Sequence, residues 1–415
     1  MRQLEMSLEN QQKLLRNPQF IRLWAVGWMT GTMMWLEMLV IVLLAFELTE
    51  SPFLVSFTFF LRFLPMLFGF AIGVLGERLN RKYLMIAGLV VQVVTSAALA
   101  ALILADKLAY WHLAVASLVV GTIQASEFPI RRAMIGEFVD IRSVGRAFSL
   151  EQATNSLWRI LGPFIGGLLL ATIGAHGGFL LGVVLYSLGI LISVSIKYDR
   201  PATGERTTGP LAEVFEGIRY INSSQVMVGT LAVTLVLNVF GFPYLSQQPV
   251  VARQELMASD ILIGVLQSVE GAGMVAGAAL ITVFARPHQY TRIYMWGSVS
   301  YLVAIVLFSQ SNEYWLTLVI LFFGGIGMSA FASMQTAIMI YASSPEMRGR
   351  ALGAVAVVIG IGPIGQLGIG LLANIYSPAT SVLMVASIGL VGMLAAFVIY
   401  PIMNRSSSLD TCNTN

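Results

Sequence analysis

The sequence predicts an all-α membrane protein of twelve transmembrane helices in two six-helix halves, with both termini cytoplasmic. Three observations predict it. Of 415 residues, 57% are hydrophobic and only 11% charged, against roughly 25% charged in soluble domains. Apolar runs long enough to cross a bilayer, about 20 residues each, recur from one end of the chain to the other. Basic residues also keep to alternate connections between those runs.

The spans are expected at roughly 20–46, 53–76, 83–105, 111–131, 146–172, 177–196, 225–248, 260–284, 291–309, 314–341, 350–375 and 379–401. Turn chemistry marks several boundaries, such as Glu50-Ser51-Pro52 and Ser377-Pro378. Counting from the N-terminus, the connections on one side hold 20 of the 24 lysines and arginines, from Arg2 to Arg405. The opposite connections hold only Lys107 and Arg253, and Arg62 and Arg159 fall inside spans. Positive charge stays on the cytoplasmic side, so this asymmetry orients the chain.

Five regions follow: a cytoplasmic segment 1–19, a helical bundle 20–196, a linker 197–224, a second bundle 225–401 and a cytoplasmic tail 402–415. The first segment has no apolar core and does not read as a signal peptide. The linker opens on polar, proline-bearing sequence. Leu211, Val214, Phe215, Ile218 and Ile221 then recur at helical spacing, predicting an amphipathic helix on the membrane surface. The halves read as a repeat. Gly145-Arg146-Ala147 and Gly349-Arg350-Ala351 each open a span at an offset of 204, which also relates Gly73 to Gly277 and Gly166 to Gly370.

Composition and motifs exclude several classes. A net charge of +3 is too small for a nucleic-acid partner and reflects the loop bias. The single cysteine, Cys412, excludes an internal disulfide and a cysteine metal site. His112, His176 and His288 are scattered without metal spacing. No G-x-x-x-x-G-K-[ST] or G-x-S-x-G appears. No cofactor and no enzyme activity are expected, and a monomer in the lipid bilayer is.

The stretch Gly73-Val74-Leu75-Gly76-Glu77-Arg78-Leu79-Asn80-Arg81-Lys82 separates spans two and three. Four charges in its last six residues cannot remain in hydrocarbon. It resembles the loop signature of the major facilitator superfamily, G-x-L-A-D-R-x-G-R-K. Gly73, Leu75, Arg78, Arg81 and Lys82 match, and Gly76, Glu77 and Asn80 depart from it. The resemblance implies a cytoplasmic gate. Glu77 would face the start of span eleven near Arg350, and Arg78 and Arg81 would pair with acids such as Glu137 and Glu151. Lys82 reads as a positive-inside anchor.

The fifth span contains Gly162-Pro163-Phe164-Ile165-Gly166-Gly167. It resembles the superfamily's antiporter signature, with Trp158 where the first glycine would stand. Pro163 removes a backbone donor and bends a helix, and Gly162, Gly166 and Gly167 permit close helix contact. Ordinary small-residue packing is the alternative. Pro129-Ile130-Arg131, Arg159-Ile160-Leu161-Gly162-Pro163 and Arg348-Gly349-Arg350 resemble the drug:proton antiporter branch that holds macrolide exporters and the enterobactin exporter.

Charged residues inside spans are costly and serve as functional candidates. Glu37 and Glu270 lie deep in spans one and eight. Each reads as a proton or substrate site, with a structural salt bridge as the alternative. Arg62, mid-span in helix two, is a candidate partner of Glu37. Glu151, Asn155 and Arg159 recur four apart on span five, and Gln124, Glu127 and Arg131 form a second polar stripe on span four. The stripes predict a buried network, either a static bridge or a switch. The expected function is export of a small amphipathic compound against protons across the cell inner membrane, with sodium as the alternative ion. Siderophore or lysolipid movement, or a non-transporting sensor, are the alternatives in function.

Overall fold

A computed structural model describes residues 16–68, 80–140, 143–198, 220–222, 224–344 and 347–404. Among these residues the regular structure is helical, with no strand. The first six helices are α1 (Pro18–Thr49), α2 (Pro52–Phe63), α3 (Arg81–Leu104), α4 (Tyr110–Phe138), α5 (Val144–Thr172) and α6 (Ala175–Val194). Then come α7 (Gln225–Val236), α8 (Tyr244–Gln254), α9 (Asp260–Phe284), α10 (Tyr290–Gln310) and α11 (Tyr314–Tyr341). The last three are α12 (Arg348–Gly360), α13 (Gly362–Ile375) and α14 (Pro378–Ile399).

Two of the expected spans are interrupted. The seventh is α7, a π turn over Leu237–Gly241, and α8. The eleventh is α12 and α13, broken just before Pro363, which has no amide hydrogen to continue the ladder. Ten spans are long and apolar enough to cross a bilayer, and a shorter apolar helix covers Pro52–Leu67. The fifth span, α5, falls outside the ten because Asn155, Arg159 and Pro163 interrupt its apolar run.

Packing divides the chain into two units, Met1–Leu44 with Leu64–Gly204 and Ala45–Phe63 with Glu205–Asn415. The second span is thus shared between them. Its first part, α2, packs on α13 and α8. Gly370 makes that possible, since a Cβ there would come within 2.7 Å of Ser56 Cβ. Ser56 Oγ lies 2.8 Å from Ser246 Oγ and accepts from Gln247 Nε2 at 2.6 Å.

In the first unit α1 is apolar almost all round, as a helix enclosed by neighbours must be. Phe20, Leu23, Met33, Leu36 and Leu39 are fully buried. α3 opens on an Asn80 cap, whose Oδ1 accepts from Lys82 N at 3.0 Å. In the second unit α11 packs on both α9 and α10.

The linker helix expected over 211–221 lies outside the described residues except at its end. Ile221, assigned there to a membrane-facing stripe, is instead buried in protein. It packs against Met227, Met339, Ala351 and Val355. Helical spacing marks an apolar face but not what covers it.

Candidate functional site

Glu37 sits twelve residues before the end of α1, roughly 18 Å along the helix. It is 2% exposed. An ionised carboxylate in such surroundings is very costly unless donors meet it. Tyr186 OH donates to its Oε1 at 3.2 Å from α6, and Ser96 Oγ donates at 3.4 Å from α3. Gly182 on α6 lets these elements converge, because a Cβ there would fall 2.9 Å from Met33 Cε and 3.0 Å from Ser96 Oγ.

The stripes on α4 and α5 meet at Arg131. Its Nη1 donates to Glu127 at 2.7 Å and its Nε to Glu151 at 2.9 Å. Nη1 also donates to Thr30 Oγ1 on α1 at 3.1 Å. All three charged side chains are largely buried, at 10–13% exposure. Arg131 was expected as one member of a stripe, and the structure makes it the junction of three helices.

Asn155 and Arg159 are directed elsewhere. Asn155 Oδ1 accepts from Trp35 Nε1 at 3.3 Å, and the Arg159 guanidinium stands 4.9 Å over the Trp35 ring. Trp35 belongs to an aromatic ladder on α1 facing α5. Trp24 Nε1 donates to Thr154 Oγ1 at 3.1 Å, and Trp28 meets Trp158 edge-to-face at 4.9 Å. Trp24, Trp28 and Trp35 follow helical spacing, so the ladder had a sequence signal.

The glycines of the antiporter-like motif serve the same α1–α5 contact. A Cβ on Gly162 would lie 2.6 Å from Trp35 Cβ, and one on Gly166 would lie 3.3 Å from Leu36 O. Gly167 and Pro163 are buried beside them, and α5 stays helical through Pro163.

Glu270 on α9 is likewise 2% exposed. It accepts a short hydrogen bond from Tyr244 OH on α8. The Tyr244 ring lies between Tyr301 at 6.1 Å and Phe308 at 5.9 Å. Gly325 on α11 packs directly against the Glu270 backbone, because any Cβ at 325 would overlap the Glu270 carbonyl oxygen. Nearby in the second unit, Thr234 Oγ1 accepts from Gln335 Nε2 at 2.8 Å and lies 2.9 Å from Tyr294 OH. Arg62, on α2, is 4% exposed. It belongs to the second unit, whereas Glu37 belongs to the first.

Gly73, Glu77 and Arg78 of the expected gate lie outside the described residues. Arg81 pairs with Glu137, and its Nη1 donates to Tyr198 OH at 3.5 Å. Burial, and then the hydrogen-bonded Glu137 carboxylate, push the Tyr198 phenol above its ordinary pKa. Glu151, also expected for the loop arginines, is held by Arg131. Lys82 closes the end of α6. Its Nζ donates to Val194 O at 2.8 Å and Ile196 O at 2.6 Å, and Arg22 donates to Ser195 O at 2.7 Å.

Ten apolar spans and a shorter apolar helix among the described residues, charged residues sunk within them and small-residue helix contacts define a polytopic membrane protein of the major facilitator type. The chain belongs to the major facilitator family described as transmembrane secretion effector, which matches it over residues 12–414. It is 26% identical over 253 residues to the MFS-type transporter YfiS of Bacillus subtilis, a match spanning 59% of each chain. Macrolide efflux protein A of Streptococcus pyogenes is 23% identical over 368 residues, 84% of this chain and 88% of the relative. The staphyloferrin A transporter of Staphylococcus aureus is 19% identical over 62% of this chain and 64% of its own. The fold is that of a solved bacterial homolog of the human lysosomal transporter Spinster, with a TM-score of 0.66 at 14% identity. That likeness covers 95% of this chain and 96% of the other.

Proposed function

We propose that this protein is a proton-coupled exporter of small amphipathic compounds in the bacterial cell inner membrane. It works by exposing its site alternately to the two sides, with both termini in the cytoplasm. One observation carries the reading. Each unit holds a carboxyl at 2% exposure, Glu37 or Glu270, against a tyrosine hydroxyl. A hydroxyl donates to a carboxylate and accepts from the protonated acid, so such a pair serves both states of a proton carrier. The 20-to-2 loop asymmetry supports the orientation, and likeness to a macrolide efflux protein supports outward movement of drug-like cargo.

In this mechanism Arg131, Glu127 and Glu151 hold α1, α4 and α5 in register, and Arg81 with Glu137 fastens the base of the cytoplasmic loop. Gly73, Glu77 and Arg78 supply the rest of that gate. Likeness to a staphyloferrin A transporter favours a second reading, in which the cargo is a siderophore.

Inside-out membrane vesicles with an acid interior and a pH-sensitive dye test both. Macrolides, cationic dyes, catecholates and lysolipids are added in turn. Substrate-triggered proton release by one class establishes antiport and names the cargo. Glu37→Gln and Glu270→Gln variants are each expected to abolish release. Full release by both overturns the assignment of the proton sites. A response that follows a sodium gradient instead overturns the ion.

A further inference from the structure

We infer that Gln248 and Tyr244 form a relay that carries protons to Glu270, an inference that rests on the proton-coupled reading above. Gln248 lies within the apolar span on α8 and is 1% exposed. Neither its Oε1 nor its Nε2 has a hydrogen-bond partner among the described residues. Buried amides are almost always satisfied. One that the protein leaves unmatched at both ends is a group that binds water.

The adjacent residue sharpens the contrast. Gln247 turns its Nε2 to Ser56 Oγ at 2.6 Å and Pro52 O at 2.9 Å. That amide fastens α2 to α8. Gln248 points from a different face of the helix and makes no such bond among the described residues. It follows Tyr244 by one helical turn, so the two share a face. Tyr244 in turn donates to Glu270. From the end of α8 at Gln254, the order is therefore Gln248, Tyr244, Glu270, with Gln248 roughly 9 Å inside that end.

The titratable groups around this line are few. Tyr301 faces Tyr244 from α10. Glu270 apart, the charged side chains of α8 and α9 are terminal, where Arg253 pairs with Asp260 and stands 3.6 Å from Glu47, and α2, which packs on α8, carries the buried Arg62. No cation on the described parts of α8 and α9 therefore lies along the line itself. A water held by the Gln248 amide gives a proton to Tyr244 Oη as the tyrosine's own proton passes to a Glu270 carboxylate oxygen. The tyrosine ends neutral and the carboxyl ends protonated, while the hydroxide left at Gln248 takes a proton from a solvent hydronium at the end of α8 and becomes water again, so one proton has passed from solvent to Glu270.

The test uses the full-length protein in phospholipid vesicles, subjected to a rapid pH drop and followed by time-resolved infrared spectroscopy. The signal is the protonated-carboxyl stretch that Glu270→Gln removes. Gln248→Met keeps the volume and deletes the amide. It is expected to slow the rise of that band about tenfold, the loss of one hydrogen-bonded step, and to leave its final amplitude unchanged. Gln248→Asn restores part of the rate, and Tyr244→Phe slows the rise as Gln248→Met does. A wild-type rate in Gln248→Met, or in Tyr244→Phe should the former not fold, overturns the relay while leaving Glu270 as a proton site. Absence of any band sensitive to Glu270→Gln overturns the proton reading at Glu270 and the relay with it.

Discussion

Arg131→Met exposes the role of the charge junction in the first unit. The substitution preserves much of the side-chain volume and removes the guanidinium from between Glu127 and Glu151. Those carboxylates are 10% and 12% exposed, and the arginine itself 13%. Removing one partner of a buried pair costs about 3–5 kcal/mol, because the other charge remains without compensation. Here two acids lose the same partner, and partial exposure keeps the expected loss near the lower limit, about 3 kcal/mol. At roughly 2–4 °C per kcal/mol for a unit of this size, the midpoint should fall by about 6–12 °C. Glu151→Gln alone keeps an acceptor for Arg131 Nε and should cost only about 1–2 kcal/mol. The double variant should lose less than the sum, by about 1 kcal/mol or more, because the two side chains touch. Thermal unfolding of the four purified proteins in one detergent measures the cycle. Additive losses, or a loss below about 1 kcal/mol for Arg131→Met, would refute the view that this junction holds three helices together.

Two further outcomes follow from particular positions. Gly162→Ala places a methyl group against Trp35 and should destabilise by about 1–3 kcal/mol. Gly145→Ala, where nothing lies within 4 Å of the new methyl, should be neutral or stabilising by up to about 1 kcal/mol; equal melting points for the two variants would contradict the close α1–α5 contact. Tyr198 is neutral in the folded protein to a higher pH than in the unfolded chain, so its contribution is fully present below about pH 10 and fades above it. The stability difference between wild type and Tyr198→Phe should therefore stay flat from neutral pH to about 9 and shrink only at stronger alkalinity. A difference that vanishes near neutral pH would assign the effect to another group.

Span number and the charged residues within spans were legible because the bilayer imposes a length and penalises charge, so Glu37 and Glu270 stand out against apolar neighbours. Their partners were not. Tyr186, Ser96 and Tyr244 are ordinary residues of membrane helices, and nothing in their spacing says which acid they meet. Glu151, Asn155 and Arg159 recur four apart on α5, yet they serve two different neighbours, Arg131 and Trp35. Periodicity gives a residue's face, whereas partners depend on which helix packs there. The Gln247-Gln248 pair carried a signal that only burial gives meaning, since two adjacent amides in an apolar span point to different neighbours. The second span was legible as a helix, but its packing with α13 and α8 arises from Gly370 and Ser246, hundreds of residues away.

Lys82 reaches carbonyl groups that lie 112 and 114 residues further along the chain. At about 5–20 residues per second, a ribosome makes those partners on the order of ten seconds after it makes the lysine. For that interval the ammonium has no helix end to close and is simply a charge, costly to place in hydrocarbon. Once α6 is made, the same group becomes its terminal clasp. One side chain is thus a bare charge first and a helix clasp later, and the order of synthesis keeps the two conditions apart.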